Sequence, residues 1–106
     1  MDKILNIEKF IGGWLVGDFE PSLIKTKELE VGVKKIPAGT LGDGHYHKLL
    51  TEFTVIIEGH AIDNDKNYFD GDIIVLKPYE KNFTKFIKDT IILSIKSKSI
   101  PNDKYY

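Results

Sequence analysis

Hydrophobic positions in this chain mostly alternate instead of recurring at helical spacing. In Glu28-Leu29-Glu30-Val31-Gly32-Val33-Lys34 every second residue is apolar, which sets Leu29, Val31 and Val33 on one face of a half-buried strand. Phe53-Thr54-Val55-Ile56-Ile57-Glu58 is apolar on both faces apart from Thr54 and Glu58, so it needs cover on two sides. Short β-rich segments of this kind, separated by Gly, Pro, Asn and Asp, continue through the chain at the spacing of an all-β sandwich or barrel. The predicted strands span 14–19, 28–36, 45–48, 53–58, 60–63, 72–77, 83–87 and 90–97. Asp63-Asn64-Asp65-Lys66-Asn67 and Asp70-Gly71 supply turns, because Asn, Asp and Gly tolerate positive φ. Only the start departs from this pattern. Ile4, Ile7 and Ile11 stand three and four apart, which predicts a short helical turn ended by Gly12-Gly13.

The chain has 106 residues, 42% of them hydrophobic, and reads as one domain over 1–106. A core barrel is expected over about 28–97, with a tail over 98–106 that carries Pro, Asn and Asp and should run over the surface or across a neighbouring subunit. Apolar runs such as Ile73-Ile74-Val75-Leu76 fall far short of the ~18 residues of a membrane-spanning helix, and the N-terminus lacks a signal-peptide pattern. The expectation is a cytoplasmic protein without a membrane partner. With no cysteine, disulfides, thiolate zinc sites and thiol nucleophiles are excluded, so any metal must be held by His and carboxylate. All fifteen cations are lysine. The lack of arginine argues against phosphosugar and sequence-specific nucleic-acid recognition, with biased composition as the alternative reading of that lack. A net charge of −1 leaves no footprint for nucleic acid.

The candidate chemistry lies in the histidines. His45 and His47 stand at i and i+2, on one face of an extended segment, with Tyr46 on the other. Glu52 shares parity with Thr54 and Ile56 and projects into the same interior if the chain folds back. Two imidazole nitrogens and a carboxylate at about 2.0–2.2 Å from a common point form a site for a divalent first-row metal. The alternative is a hydrogen-bonded polar cluster in which the three groups satisfy one another. His60, just after Gly59, reads as a turn histidine, Tyr46 as packing between sheets, Glu58 as solvated, and Trp14 as core, with a subunit contact as its alternative.

From Gly39 through His45, His47 and Glu52 to Gly59 the chain resembles the first motif of the cupins, Gly-x5-His-x-His-x3 to 4-Glu-x6-Gly, at every defined position. The resemblance implies a jelly-roll β-barrel. It also implies a divalent metal, often iron, manganese, nickel or zinc, held by these three residues and a third histidine from the family's second motif, Gly-x5-Pro-x-Gly-x2-His-x3-Asn. Here Gly71 and Pro78 remain, with one extra residue between them, but the ligand position falls on Asn82 or Phe83. Neither is a histidine, so the implied ligands are His45, His47 and Glu52, with Asn82 as a weak carbonyl-oxygen fourth. Loss of one nitrogen weakens the site and opens a coordination position.

Two functions follow. The first is a metal-assisted isomerase or epimerase, lyase or dioxygenase acting on a small sugar or a hydroxy or keto acid, although no general acid or base stands out. The second is a non-catalytic module that binds a sugar-like small molecule over a degenerate metal site. A metal-independent sugar-nucleotide epimerase is a lesser third, disfavoured by the missing arginine. The small core and the aromatic stretch near Trp14 predict a homodimer.

Overall fold

The structure is a computed structural model and describes residues 5–106. Among the described residues nine strands form two sheets: β1 (Trp14–Gly17), β2 (Ile24–Lys25), β3 (Glu30–Ile36), β4 (Glu52–Glu58), β5 (Ala61–Asp63), β6 (Lys66–Tyr68), β7 (Ile73–Leu76), β8 (Lys85–Phe86) and β9 (Thr90–Lys96). The larger sheet runs β2-β1-β3-β9-β4-β7, and the smaller runs β6-β5-β8. This is the all-β, jelly-roll arrangement anticipated above. No helix among the described residues is long and apolar enough to cross a membrane.

The register of the large sheet decides which side chains meet. Glu52 pairs with Lys96 and Leu76, Thr54 with Ser94 and Ile74, and Ile56 with Ile92, while Lys34 pairs with Ile92 and Gly32 with Ser94. Directly opposed residues share a face, so these positions form the inner surface. At one end it is apolar, and Ile56, Ile74 and Ile92 pack with Ala61 and Phe86 of the small sheet as the hydrophobic core. Toward the other end Thr54, Ser94 and Glu52 replace the aliphatic side chains, and a cavity opens where the core stops.

Several sequence expectations are corrected. In β3 the inward face carries Gly32, Lys34 and Ile36, while Val31 and Val33 point outward opposite Ile95 and Leu93. Alternation located the strand, but the polar-looking face is the inner one because that face lines a polar cavity. Trp14 occupies this interior too, lying over Gly32, where an added Cβ would meet the indole at 2.7 Å. Residues 45–48 form no ladder strand. The segment 39–47 runs as irregular extended chain beside 79–86, through Gly42 N–H to Thr84 O, Gly44 N–H to Asn82 O, Asn82 N–H to His45 O and Tyr79 N–H to His47 O. Gly44, at φ 82° with Phe83 against its Cα, breaks the pleat just before His45.

The helical turn near the N-terminus is a pair of 3₁₀ turns, Ile7–Lys9 and Ile11–Gly13, neither with a buried residue; Ile4 lies outside the described residues. Strands β2 and β6 were not anticipated. Asn64 and Asp65, both at positive φ, make a tighter turn than the five-residue one expected and leave Lys66 and Asn67 free to pair in β6. The tail does not simply cross the surface. Tyr46 and Tyr105 exchange backbone hydrogen bonds, so the last residues add an edge to the histidine segment.

Candidate metal centre

His45, His47 and Glu52 come together at the polar end of the interior, each with a ligand atom within 4.8 Å of the others; they are the only such group of His, Cys, Asp or Glu among the described residues. Glu52 reaches the point from the start of β4, and both histidines reach it from the irregular segment, whose carbonyls are tied to Tyr79 and Asn82. The His47 and Glu52 side chains are only 6% and 12% exposed.

The Nδ1 atom of each ring faces an oxygen acceptor. His45 Nδ1 lies 2.5 Å from Asp43 Oδ1, and His47 Nδ1 bonds the backbone carbonyl of Asp103. A carbonyl accepts only, so His47 Nδ1 carries the proton and its Nε2 faces inward toward Glu52 Oε1, 3.1 Å away. Ser94 Oγ donates to the other Glu52 oxygen at 2.8 Å. This is how metal-binding histidines are ordinarily held: an outer acceptor fixes the tautomer and leaves Nε2 free for a cation. Without a cation the same geometry requires a proton on His47 Nε2, shared with Glu52.

The electrostatics follow from that pairing. Burial raises the Glu52 pKa, but the His47 hydrogen bond, Lys96 and Ser94 together outweigh it and bring the carboxyl down to about 2. The Glu52 hydrogen bond raises His47, against burial, which lowers it. Asp43 is held well below the usual carboxylate range by its bond from His45.

The group opens on a cavity of about 250 Å³. Ile36, Phe86 and Ile92 form its dry end; Lys34, Lys96 and Lys104 are in its wall. Asn82 also lines it, yet its Oδ1 accepts the Thr84 amide at 3.0 Å and so is turned to backbone. His60 stays apart, bonded to Asn67 at 2.8 Å and stacked on Phe69. Tyr46 packs between Tyr79 and Tyr105 and not between the sheets. Glu58 is exposed.

Sequence reasoning missed the two aspartates that orient the rings. Asp43 had a local signal, a carboxylate two residues before His45 that also accepts the His45 amide at 3.1 Å. Asp103 had none, since 56 residues separate it from His47.

The two-sheet architecture and the site at one end of its interior define a small protein of the cupin fold. Comparison with solved structures gives the same class. The chain is similar to the DMSP lyase DddQ from Ruegeria pomeroyi DSS-3, with a TM-score of 0.70 and 16% identity over 87% of this chain and 48% of DddQ. It is similar to an RmlC-like cupin protein from Ralstonia eutropha JMP134, with a TM-score of 0.58 and 17% identity over 68% of this chain and 49% of the other. A protein with a double-stranded β-helix domain from Klebsiella pneumoniae subsp. pneumoniae MGH 78578 matches over 97% of this chain and 94% of its own, with a TM-score of 0.63 and 16% identity. The chain thus spans about half the length of DddQ and of the Ralstonia protein. No protein-family model and no curated protein matches it.

Proposed function

We propose that the chain binds one divalent first-row metal ion through His45 Nε2, His47 Nε2 and a Glu52 oxygen, and that the adjoining cavity takes a small sugar or a hydroxy or keto acid. The observation that carries this reading is the donor set itself: three groups within 4.8 Å, both imidazoles anchored at Nδ1, in a polar pocket at the end of an apolar core. An ion held there supplies Lewis-acid polarisation of a ligand oxygen. The chain does the rest. Asp43 and the Asp103 carbonyl orient the rings, Ser94 holds the second Glu52 oxygen, and Ile36, Phe86 and Ile92 keep water from the inner end of the cavity. The reaction class is isomerisation or epimerisation, lyase chemistry or dioxygenation; the fold neighbour DddQ is named as a lyase.

A second reading is favoured by the 3.1 Å bond between His47 and Glu52, which completes the cluster without any ion. In that reading the chain is a non-catalytic binding module for a sugar-like molecule. Elemental analysis of the purified protein separates the two. The metal reading expects about one first-row ion per chain, lost in His47→Ala; a metal-free wild type whose melting temperature is unchanged by added metal or EDTA refutes it.

We also propose a homodimer. Trp14 is spent inside the subunit, so its support comes instead from the outer face of the large sheet, where Ile57, Ile73 and Val75 stay about half exposed beside Phe53, Val55 and Leu93.

A further inference from the structure

Among the described residues, the charges around the cavity pair off with one left over. Lys96 Nζ lies 3.1 Å from Glu30, Lys104 Nζ 3.4 Å from Asp43, and His47 bonds Glu52. Among the described residues no carboxylate lies within ion-pair distance of Lys34; its ammonium sits 4.2 Å from the centre of the Trp14 ring. Lys34 nevertheless stands on the inner face of β3, in the wall of the same cavity as the three donors. A partly desolvated ammonium without a counterion costs free energy, which an aromatic face offsets only in part. Burial lowers the Lys34 pKa, and the attraction of Glu52 and Glu30 does not cancel this while Lys96 and Lys104 add to it. A divalent ion replacing the His47 proton makes the cavity more positive still.

We propose that Lys34 is the anion anchor of this cavity, binding the carboxylate of a small hydroxy or keto acid whose hydroxyl or keto oxygen turns toward His45, His47 and Glu52. The inference rests on reading this cavity as the ligand site, and it selects the acid over the neutral sugar. Size agrees: about 250 Å³ lies below the ~300–1,000 Å³ of drug-sized sites and suits an acid of few heavy atoms. Lysine serves here as a compact point charge, and a single ammonium is enough to neutralise one carboxylate.

Trp14 is the sole tryptophan and carries both Lys34 and Lys96 on its ring, so its fluorescence reports a ligand that draws Lys34 away. The experiment titrates lactate and malate, with glycerol and erythritol as neutral controls, into metal-loaded and metal-free protein, following Trp14 emission and calorimetric heat. At least one acid is expected to bind saturably, about tenfold or more weaker in Lys34→Met, with Lys34→Arg restoring part of the affinity and metal content unchanged in both. If Met disturbs the packing on Trp14, Lys34→Gln makes the same test. Neutral polyols binding as well as the acids, no saturable acid binding, or acid affinity within twofold of wild type in Lys34→Met and Lys34→Gln would overturn the assignment. Lys34-dependent acid binding by a protein that takes up no metal supports the anchor while removing the metal reading; metal uptake with a preference for polyols does the reverse.

Discussion

Replacing Asp103 by alanine tests whether the C-terminal segment is part of the site or merely lies over it. The Asp103 side chain accepts the backbone N–H groups of Lys48 and Leu49 at 3.0 and 3.1 Å, and the residue is only 5% exposed. Hydrogen bonds to a charged acceptor contribute about 1.5–3 kcal/mol each, and the two freed amides recover part of that from water, so Asp103→Ala should cost about 3 kcal/mol. For a domain of about 100 residues this lowers the melting temperature by more than ~10 °C. The consequence for the site is separate. The Asp103 carbonyl accepts the hydrogen bond from His47 Nδ1–H, so loosening the segment frees the ring, and loss of such an outer partner typically costs about 10–100-fold in metal affinity. Asp103→Asn keeps one acceptor oxygen and should show roughly half the stability loss. Denaturant unfolding with a check on the slope, alongside metal titration monitored by competition with a chelating dye, measures both quantities. Unchanged stability and unchanged metal affinity in Asp103→Ala would mean that the C-terminal segment only lies over the site.

Other outcomes follow from the same geometry. In the metal-free protein Glu52 is held down to about 2 against an ordinary 4.5, so its contribution is complete above pH 4.5 and lost as pH falls toward 2; that gap is worth about 3 kcal/mol. His47 is raised above 6.5, so its side of the same interaction is complete below pH 6.5 and lost as pH rises through its folded value. Unfolding across pH should therefore show a plateau between these limits, which Glu52→Gln flattens; a wild-type curve no different from Glu52→Gln would contradict the pairing. Gly32→Ala places a Cβ 2.7 Å from the Trp14 ring and should destabilise by about 1–3 kcal/mol while shifting Trp14 emission, checked by fluorescence-monitored unfolding. Light scattering should give twice the 12.1 kDa chain mass, and Val55→Lys on the outer face should return it to the monomer value; a wild-type monomer removes the dimer proposal.

The readable parts of this molecule were those governed by local rules. Period-two patterning and turn chemistry located β3, β4, β7 and β9, and the spacing of His45, His47 and Glu52 singled out three donors that meet at one end of the interior. The unreadable parts depend on long-range closure. Alternation put Val31 and Val33 on one face of β3 but did not say which face is inner, because a polar cavity makes Lys34 an inward residue, an inversion of the usual pattern that only the pairing with Ile92 reveals. The strand expected over 45–48 failed because Gly42 and Gly44 let the chain press against Asn82 and Phe83 without a regular ladder. Asp103 was read as surface because its carboxylate is used by amides more than fifty residues away.

Whether His45, His47 and Glu52 share one metal ion is decided by anomalous diffraction from metal-soaked crystals. A single strong peak is expected about 2.0–2.2 Å from His45 Nε2, His47 Nε2 and a Glu52 carboxylate oxygen. A His47–Glu52 hydrogen bond left intact with no peak between the three side chains, at a metal concentration that saturates the protein in solution, would contradict it.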